Sequence, residues 1–232
     1  MIKSVFLRLL PSRYVGQLKC FQILAKDYGQ YQSMRKSECV DASGNQPIPW
    51  YTYPAIEYLR QFDFHECTVF EYGSGNSSLF WADRALSILS AEDNEEWYNK
   101  VKGEVRPNQN IVYRPLKKAY VNAIDESEEK FDIVVVDGNH RPECARQLLG
   151  AIKDDGIVIL DNSDWFKKTA KYIRESLDFI QVDFHGFGPI NSYTWTTSVF
   201  ISRKAQLRPN KEMQPAFAVG GLQHSLTDDA DY

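Results

Sequence analysis

Short runs of β-favouring residues alternate with helix-like segments through the middle of the chain, and this alternation constrains the fold most. IVVV and IVIL, inside two of the runs, are almost continuously apolar, which is typical of strands in a parallel sheet covered by helices on both faces. The pattern predicts a doubly wound, three-layer α/β fold. The predicted parallel strands are CTVFEY (67–72), LSILSA (86–91), NIVYR (110–114), FDIVVVD (131–137), GIVILD (156–161) and FIQVDF (179–184).

A seventh strand, TWTTSVFISR (194–203), breaks the alternation. It follows FIQVDF after the turn GFGPINSY, with no helix between them. Two strands joined by a short turn pair antiparallel, so we expect a mostly parallel seven-stranded sheet with an antiparallel last strand. Helices are predicted from Tyr51 onward and around 77–85, 94–105, 118–128, 141–153 and 166–177.

The flanking segments divide the chain into three parts. We expect an N-terminal helical and loop extension (1–50), an α/β domain (51–204) and a flexible C-terminal tail (205–232). Residues 29–50 show neither helical nor strand periodicity and are predicted to form a long loop.

The first 26 residues carry basic side chains and no acidic one. Pro11 divides them into two short amphipathic helices, which we expect to pack on the domain or on a second subunit of a homodimer. A weak membrane-surface contact is the alternative.

The composition excludes several classes of protein. The 232 residues carry a formal net charge of −4, which argues against a nucleic-acid partner. No apolar run is long enough for a transmembrane segment. Four scattered cysteines without a C-x-x-C pair indicate reduced thiols and a cytoplasmic protein. They are Cys20, Cys39, Cys67 and Cys144.

Acidic residues end four of the predicted strands. Ligands of an open α/β sheet bind beyond the carboxyl ends of the strands, so we expect Glu71, Glu92, Asp137 and Asp161 to lie at one ligand edge. Each of them alone could equally be a solvated strand end or a helix N-cap.

The stretch EYGSGNS follows the first strand. Gly73 and Gly75 allow a tight turn and the close approach of a bound group. Ser78 stands where a dinucleotide-binding turn would have a third glycine. Glu92 suits a carboxylate that accepts hydrogen bonds from two ribose hydroxyls, which leaves NAD and other adenosine ligands open. The terminal antiparallel pair is not part of the usual dinucleotide-binding unit.

Together these features resemble the class I S-adenosylmethionine-dependent methyltransferases. EYGSGNS stands where that family has an acid-x-G-x-G-x-G loop, with Ser77 in place of the last glycine, and SAEDNEEW resembles the segment whose acid binds the ribose. The resemblance covers about residues 50–203 and implies S-adenosyl-L-methionine as the cofactor, with Trp97 near the adenine. The cofactor-binding residues that it implies are Glu71, Gly73, Ser74, Gly75, Asn76, Glu92, Asp93 and Asp137.

VVVDGNHRPE and VILDNSDWF further resemble metal-dependent O-methyltransferases of the catechol and caffeoyl-coenzyme-A type. The resemblance implies a divalent cation (Mg, Mn or Ca) held by Asp137, Asp161 and Asn162, which would position two substrate oxygens. His140 is the candidate base or a further ligand, and Asp137 the second catalytic candidate. The alternative is ordinary turn and N-cap chemistry at both places.

Aromatic residues near the ligand edge predict the acceptor pocket. Trp50, Tyr53, Trp165 and Tyr193 offer flat faces with polar tips, which suit a sugar ring or a planar molecule. The expected function is O-methylation of a small molecule or glycan. The alternatives are an NAD-dependent oxidoreductase and a non-catalytic cofactor-binding or scaffold domain.

Overall fold

The computed structural model describes residues 11–211 and 214–222 of the chain. Within them seven strands form one sheet, in the order β3-β2-β1-β4-β5-β7-β6. These strands are β1 (Thr68–Tyr72), β2 (Ser87–Glu92), β3 (Gln109–Tyr113), β4 (Phe131–Val136), β5 (Ile152–Leu160), β6 (Ile180–Gly186) and β7 (Trp195–Ile201). The order reverses between β1 and β4, which opens a crevice at the carboxyl ends of these two strands.

The direction of the strands follows from their connections. β1 to β5 run parallel, whereas β7 runs antiparallel to both of its neighbours, β5 and β6. The predicted α/β class, the doubly wound arrangement and the mostly parallel seven-stranded sheet with an antiparallel last strand are therefore confirmed.

Helices cover both faces of this sheet. They are α1 (Ser12–Gln22), α2 (Gln30–Lys36), α3 (Tyr53–Leu59), α4 (Asn76–Ala82), α5 (Glu95–Val101), α6 (Lys117–Val121), α7 (Arg141–Ala151) and α8 (Lys167–Leu177). Side chains of α3 and α4 pack on one face, and side chains of α6, α7 and α8 pack on the other.

Strand β4 shows why its sequence is apolar throughout. Ile133 and Val135 belong to the cluster under α3 and α4, whereas Val134 and Val136 belong to the cluster under α7 and α8. All four are at most 1% exposed. Burial of each such side chain contributes about 1.5–3 kcal/mol, so this strand can hold its place only between two helical layers.

The segment 29–50 differs from its prediction as a long loop, because it contains α2. Gly29 precedes this helix with a left-handed φ of 79°, and a Cβ there would meet the backbone of Asp41 and Ala42 at about 2.5 Å. The Ser33 hydroxyl donates to the carbonyl of Val40 at 2.8 Å. These contacts fold the segment back on itself. They join residues that are far apart within the segment, so helical periodicity does not predict them.

Parts of the C-terminal segment lie against the domain. The backbone N–H of Asp63 donates to the carbonyl of Arg208 at 2.9 Å, and that of Asn210 donates to Gln61 at 2.7 Å. The first part of the predicted tail is therefore held on the domain by hydrogen bonds. Its end, 223–232, lies outside the described residues.

The N-terminal extension is described from residue 11 onward. Helix α1 buries no side chain and continues into a π-helical turn, Ile23–Asp27. The first of the two predicted N-terminal helices lies outside the described residues. Among the helices of 11–211 and 214–222, none has the length and apolarity that crossing a bilayer requires.

Candidate functional site

A cleft of about 580 Å³ lies at the carboxyl edge of the sheet, over the crevice between β1 and β4. Its volume falls within the range of small-molecule sites. We call one end the turn end (residues 71–76, Glu92, Asp93 and Trp97). The other is the aromatic end, formed by Trp50, Asp161, Asn162, Trp165 and Tyr193.

The glycine turn after β1 approaches the loop after β4. Gly73 has a φ of 98°, and a Cβ there would lie 3.2 Å from the Cα of Gly138. Gly75 has a φ of 154° and faces the indole of Trp97. A Cβ at Gly75 would lie 3.5 Å from this ring. The two glycines therefore allow a backbone path that larger residues would strain or block.

Glu71 explains why a serine can stand at position 78. The Ser78 hydroxyl donates to Oε2 of Glu71 and accepts from the backbone N–H of Gly75 at 3.0 Å. This pair of bonds holds the turn in place of a third glycine. Burial raises the pKa of Glu71 to about 7, and its Oε1 is buried without a hydrogen-bond partner among the described residues. An unpartnered buried carboxylate oxygen calls for a donor from a ligand or water.

Glu92 ends β2 with its carboxylate at the turn end. Its Oε1 accepts from the backbone N–H groups of Asp93 at 3.1 Å and Asn94 at 3.0 Å. Its Oε2 accepts from the Ser74 hydroxyl at 2.7 Å. The Trp97 indole N–H donates to the carbonyl of Ser74 at 2.7 Å, so carboxylate, turn and aromatic ring form one connected unit.

The structure brings all the predicted cofactor-binding residues to the lining of this cleft: Glu71, Gly73, Ser74, Gly75, Asn76, Glu92, Asp93 and Asp137. Residues from the N-terminal extension also reach it, because the Asn76 amide donates to the carbonyl of Cys39 at 2.6 Å.

Asp137 and Asp161, which follow β4 and β5, both contact the guanidinium of Arg141, Asp137 through its carboxylate and Asp161 through its backbone carbonyl. Arg141 Nη2 donates to Oδ1 of Asp137 at 3.0 Å. Oδ1 of Asp161 accepts from the Trp195 indole at 3.0 Å and from the Thr197 hydroxyl at 2.5 Å. Burial raises the pKa of both carboxyl groups, and the charge of Asp137 raises that of Asp161 further. Oδ2 of each accepts no hydrogen bond from the described residues, and both residues line the cleft.

The three predicted metal ligands come together but do not form an open cation site. Arg141 Nη1 donates to Oδ1 of Asn162 at 2.9 Å, so two of the expected ligand oxygens already bind a guanidinium. Among the residues that the structure describes, no group of three or more His, Cys, Asp or Glu side chains is placed to hold a metal. The arrangement therefore does not fit the divalent cation that the resemblance implied.

His140 is not among the residues that line the cleft, and its expected role as base or ligand stays a prediction. It adopts a left-handed φ of 53° before α7. Its Nε2 lies 4.0 Å from Oδ2 of Asp93, and its ring lies edge-on to that of Tyr120 with 6.2 Å between the centroids. The geometry places no His140 nitrogen at the aromatic end.

Three of the four predicted acceptor contacts line the aromatic end. Trp50, Trp165 and Tyr193 are 48%, 61% and 49% exposed, and the Trp50 indole donates to the side chain of Asn191 at 3.1 Å. Tyr53 is the exception. It is 4% exposed and packs on Tyr28 with 4.6 Å between the ring centroids, because it begins α3 and faces the core.

Sequence reasoning missed Arg141, whose guanidinium organises both strand ends. The available signal was its position four residues after Asp137, at the start of a predicted helix, where an i,i+4 acid–base pair can form. It also missed Gly138, where a Cβ would lie 2.9 Å from the backbone nitrogen of Gly73. No local pattern marks that contact, because the two loops follow different strands.

No family model matches this sequence, and no curated protein matches it. Solved structures share its architecture. A precorrin-6y C5,15-methyltransferase from Geobacter metallireducens GS-15 superposes with a TM-score of 0.50 at 12% identity, covering 64% of this chain and 87% of that one. An rRNA methylase from Streptococcus thermophilus has a TM-score of 0.47 at 13% identity, covering 65% and 97%. A spermidine synthase from Thermotoga maritima has 0.45 at 16%, covering 59% and 53%.

The likeness to the precorrin methyltransferase agrees with the strand order and with the antiparallel β7. The chain therefore has the class I methyltransferase fold that its sequence predicted.

Proposed function

We propose that this chain is an S-adenosylmethionine-dependent methyltransferase that methylates an oxygen of a small molecule or glycan. The observation that carries the proposal is the buried Oε1 of Glu71, which has no partner among the described residues and lies beside the glycine turn. A cofactor with an ammonium group would supply the missing donor, directly or through water. NAD has no such group.

Glu92 supports the same assignment from the opposite side of the turn. Its Oε1 already accepts two hydrogen bonds, whereas Oε2 accepts one and retains capacity for a second. The indole of Trp97 lies beside it. A carboxylate next to an exposed aromatic face suits a ribose that carries a flat base.

The charge of the cleft supports a cationic donor and a neutral acceptor. Lys100 and Arg141 are the cationic Lys and Arg side chains of the lining among the described residues. Lys100 lies over the Trp97 ring at 4.7 Å, and the N–H groups of Arg141 are engaged by protein oxygens. The acidic members of the lining are Glu38, Glu71, Glu92, Asp93, Glu104, Asp137 and Asp161.

The aromatic end supports a ring-shaped acceptor. The exposed faces of Trp50, Trp165 and Tyr193 suit a sugar or a planar ring. At this end, an anionic acceptor such as a phosphate would meet carboxylates and, among the described residues, a guanidinium whose donors are engaged by protein oxygens. This is the reason to favour a small neutral acceptor over a nucleic acid.

S-adenosylmethionine, when bound, supplies an electrophilic methyl group on a sulfonium sulfur. The chain has to align the acceptor oxygen, exclude water and receive the hydroxyl proton. Asp137 is the candidate proton acceptor, because its Oδ2 accepts no hydrogen bond from the described residues while Arg141 holds its Oδ1. In this proposal, Asp161 accepts from a second hydroxyl or orients the first.

Calorimetric titration of the purified chain with S-adenosylmethionine, S-adenosylhomocysteine and NADH tests the cofactor. We expect both adenosyl ligands to bind and NADH not to bind. Glu92→Ala should weaken binding about tenfold to a hundredfold, since a hydrogen bond to a charged group contributes about 1.5–3 kcal/mol.

Glu95→Ala is the matched control, because Glu95 is exposed on α5 outside the cleft. It should leave the affinity unchanged. Binding of NADH without either adenosyl ligand would instead favour the oxidoreductase. If none of the three binds, the non-catalytic alternative takes precedence. Transfer of a labelled methyl group to neutral glycans and phenols, compared with RNA, then tests the acceptor class.

A further inference from the structure

Arg141 makes more contacts than any simple ion pair requires. A guanidinium has five N–H bonds in a fixed plane, and here each finds an oxygen. Nε donates to the carbonyl of Gly138 at 2.9 Å, Nη1 to the carbonyl of Asp161 and to Oδ1 of Asn162 at 2.9 Å, and Nη2 to the carbonyl and Oδ1 of Asp137, both at 3.0 Å.

The position of this group is fixed from several sides. Arg141 is the first residue of α7 and is followed by Pro142, which suits the first turn of a helix. Its guanidinium carbon lies 5.0 Å from the centroid of the Phe166 ring, and its side chain is 12% exposed. A charged group held by five acceptors and an aromatic ring has little freedom to leave for a substrate.

From this geometry we propose that Arg141 is a built-in cation that takes the place of a divalent metal at the ends of β4 and β5. It positions Asp137 and Asn162, and its charge offsets part of the charge of the two strand-end carboxylates. A magnesium or calcium ion bound by Oδ1 of Asp137 and Oδ1 of Asn162 would lie about 2.0–2.6 Å from these oxygens. The guanidinium nitrogens already lie 3.0 and 2.9 Å from the same two oxygens, so they would collide with the ion and repel it.

The exchange of a metal for a guanidinium changes what the site can do. A metal accepts oxygen ligands from the substrate, whereas a guanidinium whose donors are all engaged does not. Under the proposed function, on which this step depends, the acceptor needs no pair of neighbouring oxygens. One hydroxyl that reaches Oδ2 of Asp137 or Asp161 suffices. Arg141 is thus a positioning residue, and it makes the reaction independent of divalent cations.

A titration with Mn²⁺ tests whether Arg141 excludes a metal, and it needs neither cofactor nor acceptor. The electron paramagnetic resonance signal of free Mn²⁺ decreases as the ion binds, which measures its affinity. The wild-type chain should not bind Mn²⁺ at the strand ends. Arg141→Ala removes the guanidinium and leaves two carboxylates and an amide, so it should bind Mn²⁺ at least tenfold more tightly than the wild type. The double variant with Asp161→Asn should lose that gain.

Arg146→Ala is the matched control, because Arg146 is an exposed arginine on the same helix and does not line the cleft. It should bind no more Mn²⁺ than the wild type. Circular dichroism and thermal melting establish that each variant is folded. A folded Arg141→Ala chain that gains no Mn²⁺ affinity would overturn the proposal.

The wild-type arm keeps the test decisive if Arg141→Ala does not fold. Stoichiometric Mn²⁺ binding by the wild type that Asp161→Asn abolishes would show that a metal displaces the guanidinium, and the proposal would be wrong. Since neither arm uses S-adenosylmethionine, a failure here is distinct from a failure of the proposed function, which the cofactor titration decides.

Discussion

The two ends of the cleft are built from contacts of very different range. At the turn end, Ser78 and Glu71 are separated by 7 residues and Ser74 and Glu92 by 18. At the aromatic end, Asp161 is bound by Trp195 and Thr197 from 34 and 36 residues away. The Trp50 indole reaches a partner 141 residues further along the chain.

This difference separates what a short motif determines from what the completed fold determines. The contacts of Glu71 and Glu92 at the turn end are complete once β1, α4 and β2 have formed, whereas Gly73 and Asn76 also contact Gly138 and Cys39 from outside that unit. The aromatic end requires β7 to pair with β5 and the N-terminal segment to lie across the sheet edge. Changes at the two ends should therefore have separable consequences, with cofactor binding following one and acceptor binding the other.

Gly138→Ala tests the point at which the two ends meet, and we expect the largest effect from it. The added Cβ would lie 2.0 Å from the Tyr120 hydroxyl and 2.9 Å from the backbone nitrogen of Gly73. Relieving these contacts must move the glycine turn, at about 1–3 kcal/mol of unfolding free energy. Affinity for S-adenosylmethionine should fall at least tenfold, as chemical denaturation and calorimetry would measure.

Gly150→Ala is the control for that experiment. Gly150 lies in α7, and a Cβ there meets nothing within 4 Å. Since alanine favours the helix over glycine by up to about 1 kcal/mol, this variant should be as stable as the wild type or more so. Equal behaviour of the two alanine variants would mean that the loops are not in contact.

The pH dependence of the turn end should follow Glu71. Burial raises the pKa of Glu71 from 4.5 to about 7, so the folded chain binds this proton more tightly than the unfolded chain. The stability of the cofactor-free protein should therefore fall as the pH rises through this interval, by up to about 3 kcal/mol. Chemical denaturation at a series of pH values measures the slope. Glu71→Gln should reduce it, and the part that remains belongs to Asp137 and Asp161, whose pKa burial also raises.

Cofactor affinity should have the opposite dependence on pH. A cationic ligand favours the ionised carboxylate, so the wild type should bind S-adenosylmethionine more tightly as the pH rises toward and past about 7. Glu71→Gln should lose this gain, whereas Glu96→Gln, an exposed position on α5, should retain it. Parallel affinity curves for all three chains would contradict a role for Glu71 in binding.

The contrast in contact range also explains how much could be predicted from sequence. The strands, their direction and the turn-end residues follow from apolar runs, glycines and acids that lie close together in the chain. Arg141 and Gly138 could not be identified that way, because their roles depend on loops from different strands. Tyr53 does not line the cleft: like Tyr51 it packs in the core, whereas Trp50, an aromatic residue of the same short stretch, is exposed at the cleft.

The aromatic end offers the smallest and most specific effect. Trp165 is 61% exposed, and its ring lies 6.5 Å from that of Tyr193. Trp165→Ala should raise the KM for the acceptor about tenfold, since an aromatic contact of this kind contributes about 0.5–1.5 kcal/mol beyond the area that it buries. Stability and S-adenosylmethionine affinity should stay as in the wild type. Steady-state kinetics with a neutral acceptor, with the donor saturating, measures this.

Tyr53→Phe completes the comparison, because Tyr53 is an aromatic residue of the same loop region that the fold places in the core. Its hydroxyl is buried without a hydrogen-bond partner among the described residues, so its removal should leave KM unchanged and stability equal or slightly higher. A KM that rises with Tyr53→Phe but not with Trp165→Ala would reverse the assignment. The acceptor would then lie beneath the N-terminal segment, between α3 and the core, rather than at the aromatic end.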